Sequence, residues 1–151
     1  MSAKTLLIDE AEFIDFQLFG ILSSFTDPVR FVYHVNKNFD TRFERCEDLD
    51  VLIDDQEFFF PVFEWEDQQT GTYYNIIKNL GYTENSHESF GTLSSLFEVE
   101  PVLIQPYKKF NYLLKISGEE TDEMPLKESA VIQIIKELET NSVKTINRLI
   151  F

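Results

Sequence analysis

The chain has 151 residues, 43% of them hydrophobic and 26% charged, a length and balance that suit one globular domain and exclude a disordered one. A domain of this size buries about 68–70% of its unfolded surface, so its core needs neither disulfides nor metals. The net charge of −14 opposes binding to a nucleic-acid backbone or an anionic membrane and permits a basic partner.

The first expected element is a strand over Glu12–Phe19, with Ile14, Phe16 and Leu18 on one face. Asp27 followed by Pro28 predicts a helix start, and Phe31, Val32, Val35 and Phe39 form the apolar stripe of a helix over Val29–Phe39. Residues 44–67 then carry ten acids and one base, Arg45. Within them Gln56–Trp65 reads as a strand with apolar residues on both faces, in a chain holding fifteen Phe and six Tyr. Pro61 lacks a ladder donor and marks an edge or a bulge there. Thr70-Gly71 closes a hairpin loop into a strand over Thr72–Lys78. Asn79–Phe90 reads as a loop, and Leu93–Val99 and Val102–Gln105 as short strands separated by Pro101.

Phe110, Tyr112, Leu114 and Ile116 alternate with Asn111, Leu113 and Lys115, which predicts a strand over Phe110–Ile116, followed by an acidic loop from Gly118 to Glu123. Leu126, Ala130, Val131, Ile134, Ile135 and Leu138 fit the stripe of a second helix, begun at Pro125 and ended at Asn141. Val143, Thr145, Leu149 and Phe151 then suggest a closing strand over Val143–Phe151. The expected fold is α+β: a single domain over 1–151, with a mainly antiparallel sheet and two helices packed on one face.

Ile104–Tyr112 reads I-Q-P-Y-K-K-F-N-Y and runs on into L-L-K-I-S-G. With Asp27–Asn38 and the segment from Tyr73-Tyr74 to Lys78-Asn79, it resembles the bacterial IPExxxDY family, small proteins of unassigned function. Pro106 and Tyr112 match that motif. Gln105 stands at its isoleucine, Tyr107 at its glutamate and Asn111 at its aspartate, so both named carboxylates are replaced. The resemblance therefore implies a structural motif here, in which Pro106 sets a turn and the Asn111 side chain bonds nearby backbone.

Groups suited to chemistry are few. Cys46, the only cysteine, permits no intrachain disulfide and suits a reducing cytoplasm; Glu44, Glu47 and Asp48 around it oppose a thiolate. His34 lies off the helix stripe and His87 in a polar loop. Asp48, Asp50, Asp54 and Asp55 lack the spacing of a calcium loop, and Gly71, Gly81 and Gly91 are isolated, so neither a metal nor a phosphate-bearing cofactor is expected. Lys108-Lys109 is the one adjacent basic pair, too little for a nucleic-acid footprint. Met1–Ile8 lacks the pattern of a signal peptide, and no apolar run reaches membrane-spanning length, which suggests a cytoplasmic protein.

The function these features favour is a noncatalytic interaction or scaffold domain. Its contact surface would be Phe58, Phe59, Phe60, Phe63 and Trp65 with the acids Glu64, Glu66 and Asp67, facing a protein partner or a second copy of the chain. Burial of the same strand within the core explains its two apolar faces equally well. The alternative is an acidic decoy for a basic protein; an enzyme gathering Tyr107, His34 or His87 with carboxylates comes third.

Overall fold

The computed structural model describes residues 15–83, 101–118 and 124–151. Strand β1 (Phe16–Leu22) leads into helix α1 (Pro28–Phe39), which follows the expected proline start and stripe: Phe31, Val32 and Val35 are buried. The Asp27 side chain caps nothing, although its carbonyl accepts the Phe31 N–H at 2.9 Å. Asp40 ends the helix in the left-handed region, φ 57°.

Then follow β2 (Glu44–Arg45), β3 (Leu49–Ile53), β4 (Gln56–Phe60), β5 (Val62–Glu66), β6 (Tyr73–Lys78), β7 (Tyr112–Ser117) and β8 (Ile134–Leu138). Six strands form one sheet in the order β2-β5-β6-β7-β1-β8, antiparallel at every pairing, while β3 and β4 form a separate two-stranded sheet. The fold is α+β on an antiparallel sheet in one domain, as expected.

Several elements differ from expectation. Gln56–Trp65 is two strands in two sheets: Pro61 is the joint at which the chain leaves the β3–β4 hairpin and enters the large sheet. Asp54 and Asp55, with φ of 52° and 64°, make the two-residue turn of that hairpin. The predicted helix over Leu126–Leu138 is absent, and its second half is β8. A helix would have buried Ala130 and Ile134, but both are exposed. β1 needed a second neighbour, and the β-branched run Val131, Ile132, Ile134, Ile135 supplies one: Leu138 lies opposite Leu18 and Ile135 opposite Ile21, on alternate faces. Pro125 and Asn141 therefore bound no helix. Val143–Phe151 is not a strand but carries a 3-10 helix, Lys144–Leu149. Val102–Gln105 contributes a single bridge, Val102 to Leu80, and then a 3-10 turn over Gln105–Tyr107. Glu12–Ile14, Leu93–Val99 and the acidic loop after Gly118 lie outside the described residues.

The sheet has a core on each face. On one, α1 presses Phe31, Val32 and Val35 against Ile21, Phe63, Ile76, Tyr112 and Leu114. Phe31 stacks on Tyr112 with ring centroids 4.0 Å apart. On the other face Leu18, Val62, Ile77 and Leu113 meet Ile146 and Leu149 of the second 3-10 helix, with Phe60 and Phe110. The second helical element therefore covers the face opposite α1.

Candidate functional site

The aromatic strand resolves largely into core. Phe60 and Phe63 are fully buried, Phe60 in the core beneath the 3-10 helix and Phe63 beneath α1. Trp65 is half-buried and stacks on Tyr74 at 4.9 Å. Phe58 packs on the Phe60 core, and Phe59 lies 5.7 Å from the Tyr82 ring. Glu64 and Asp67 are partly covered and Glu66 is exposed. Pro61 sends alternate rings into two cores, which explains why both faces of the sequence are apolar.

The motif positions form a knot of hydrogen bonds. The Asn111 side chain accepts from the Ser23 N–H (3.0 Å) and donates to the Ser23 carbonyl (2.8 Å), so it binds a segment 88 residues away and not the local turn expected of it. The Tyr112 hydroxyl donates to the Phe25 carbonyl, and the Tyr107 hydroxyl to that of Glu139. Pro106 sits in the 3-10 turn. Asn79 closes the knot: its amide donates to the carbonyls of Tyr107 and Phe110, and its oxygen accepts the Ile104 N–H.

A different set of residues gathers around open space. On the sheet face opposite α1, Glu64 of β5, Asn75 of β6 and Lys115 of β7 stand side by side, because Glu64 pairs with Asn75 and Asn75 with Lys115. Tyr73 and Ser117 form the next row. The 3-10 helix covers only the apolar half of this face. The polar half opens into a cavity of about 670 Å3, walled by Cys46, Glu47 and Asp48 of the β2–β3 connection, Leu49 and Asp50 of β3, Val62 and Phe151.

Lys115 is the decisive group. It is 6% exposed, donates to the Leu149 carbonyl at 2.6 Å, and lies under the rings of Phe151 (4.2 Å) and Phe16 (5.0 Å). No described carboxylate forms an ion pair with it; among the described residues the ion pair is Arg45–Asp48, at 2.5 Å. Burial pushes the Lys115 ammonium below its usual range. Burial, then the Glu64 and Asp48 charges, push the Cys46 thiol up, and the thiol donates to the Val62 carbonyl at 3.4 Å. Tyr73 donates to Glu64, a bond that with burial raises its phenol to about 12.

Of the candidate residues weighed in the sequence, Cys46, Glu47, Asp48, Asp50 and Glu64 line the cavity, and the rings of the aromatic strand and the motif positions do not. His34 instead lies against Phe25, centroids 4.5 Å apart, and His87 is outside the described residues. The described residues hold no cluster of three metal-ligating side chains. None of Tyr73, Asn75, Lys115 and Ser117 was a candidate for function on the sequence alone. The available signal was a lone lysine in the apolar run Leu113–Ile116, sharing its face with Leu113. Compared with protein families, with curated proteins and with solved structures, the chain matches none.

Proposed function

We propose that the chain is a noncatalytic binding domain that takes a small molecule into the cavity floored by Lys115. One observation carries this reading: a buried amine with no carboxylate partner among the described residues opens into about 670 Å3, within the range of roughly 300–1,000 Å3 typical of small-molecule sites. The raised Cys46 thiol and Tyr73 phenol stay protonated near neutral pH, which favours binding over nucleophilic or acid–base chemistry. A fragment screen by amide shift mapping on the whole chain tests it. Bound fragments should perturb Asn75, Lys115 and Ser117, and Lys115→Met should abolish most of those shifts; a screen whose hits all fall elsewhere removes the reading.

A second reading keeps the acidic surface as a contact for a basic protein. It is supported by the β3–β4 hairpin, where Leu52 is 70% exposed beside the exposed Asp50, Asp54 and Asp55. It requires capture of a basic partner that weakens steeply with salt, and salt-independent capture counts against it. Pairing of two copies through the aromatic strand is disfavoured, since Phe60 and Phe63 serve the core.

The likeness to the IPExxxDY family is likewise a proposal, supported by Pro106 and Tyr112, while Gln105, Tyr107 and Asn111 depart from its motif. No described helix is long and apolar enough to cross a membrane. A cytoplasmic location is supported by the unpaired Cys46.

A further inference from the structure

Resting on the small-molecule reading of the cavity, we infer that its ligand is a small zwitterion, a free amino acid with an apolar side chain. The walls carry both signs of charge, set apart. Lys115 supplies the positive group at the floor, while Glu64, Glu47 and Asp50 supply negative ones. Glu64 and Lys115 occupy the same row on strands separated by β6, so their backbones are about 10 Å apart at roughly 4.8 Å per strand. They form no ion pair across that distance. A ligand whose carboxylate meets Lys115 and whose ammonium meets Glu64 spans the gap and gives the buried amine a counter-charge that no described residue supplies.

Asn75 lies between the two, 3% exposed, with an amide that can both donate and accept. Ser117 adds a hydroxyl next to Lys115 on the same face. Leu49, Val62 and Phe151 give the ligand's side chain an apolar wall. Polyanions such as nucleotides do not suit the site, because the carboxylates along its wall repel them.

The test uses the whole chain with leucine, methionine and phenylalanine, each beside its N-acetyl form (carboxylate alone) and its decarboxylated amine (ammonium alone), by calorimetry and amide shift mapping. At least one amino acid should bind and shift Asn75 and Lys115, with both of its half-ligands weaker by about tenfold or more. Glu64→Gln should weaken the amino acid about tenfold and leave its N-acetyl form unchanged, whereas Lys115→Met should lose both. Thermal melts check that Lys115→Met folds, and Glu64→Gln carries the test if it does not. A half-ligand that binds as tightly as the whole overturns the zwitterion while the cavity reading stands. Silence from every one of these probes also overturns the zwitterion, and the cavity reading falls with it only if the fragment screen finds nothing there.

Discussion

Asn111 and Tyr112 act together on one loop. Asn111 holds both backbone groups of Ser23, and Tyr112 reaches the Phe25 carbonyl two residues on, so β7 fixes the path from β1 into α1. An asparagine suits this task better than an aspartate would, because its amide donates and accepts at once. Tyr112 also links stability to pH. Burial, then the Asp27 charge, hold its phenol well above the usual tyrosine value, and the Glu64 bond does the same for Tyr73. Both folded values are raised, so their contribution is complete below about pH 10 and is lost as pH rises above it, where the unfolded chain gives up protons that the folded one keeps. Lys115 has the opposite sign: its folded value is lowered, so its cost at neutral pH is relieved as pH approaches the unfolded lysine value. We expect stability to fall between pH 10 and 11.5. In Tyr112→Phe that fall should be shallower, with a loss of about 1 kcal/mol at pH 7 from the missing hydrogen bond. Denaturant titrations across this range measure both; an unchanged alkaline slope would contradict the assignment.

At the scale of elements, the β3–β4 hairpin and β8 show where pattern and structure part. The hairpin was hidden because Asp54-Asp55 is an uncommon turn pair: two non-glycine residues hold positive φ, which costs backbone energy that Asn-Gly avoids. Asp54→Asn combined with Asp55→Gly should therefore stabilise the domain by about 1 kcal/mol, read as a higher denaturant midpoint at constant slope. A lower midpoint would show that the aspartates serve the turn by some other bond. β8 was misread because Leu126–Leu138 satisfies a helical period, while its β-branched run and the free edge of β1 favour a strand. In contrast, α1, β6 and β7 were legible, each having a clear period and its own stop signals. Gly20 in β1 shows a further constraint absent from any local pattern. A Cβ there would lie 2.5 Å from the Phe110 ring, so the bare backbone makes room for that ring.

Across the whole molecule, the charge of −14 bears on a single sheet with two cores and an acidic hairpin beside it. With 27 acids against 13 bases, most of the negative charge has no basic partner to offset it and repels itself. Raising sodium chloride from 10 mM to 0.3 M should thus raise the melting temperature by several degrees, since screening shortens the reach of that repulsion. A flat or falling response in thermal melts would mean that local pairing dominates instead. The sheet's edges are protected in different ways: β2 is two residues long, and β8 carries Lys136 and Glu137.

By itself the sequence determined the α+β class, the first helix with its proline start, the Thr70-Gly71 hairpin and the strand through Tyr112, because these depend on periods and turn residues read within a dozen positions. It also determined that aromatic rings fill the interior. Only the tertiary structure decided that Pro61 divides those rings between two cores, that Leu138 belongs to a strand, and that Lys115, Asn75 and Glu64 stand in one row across three strands. Those outcomes depend on which strands pair and in what register. Pairing is set by burial summed over residues far apart in the chain, and no local window contains that sum.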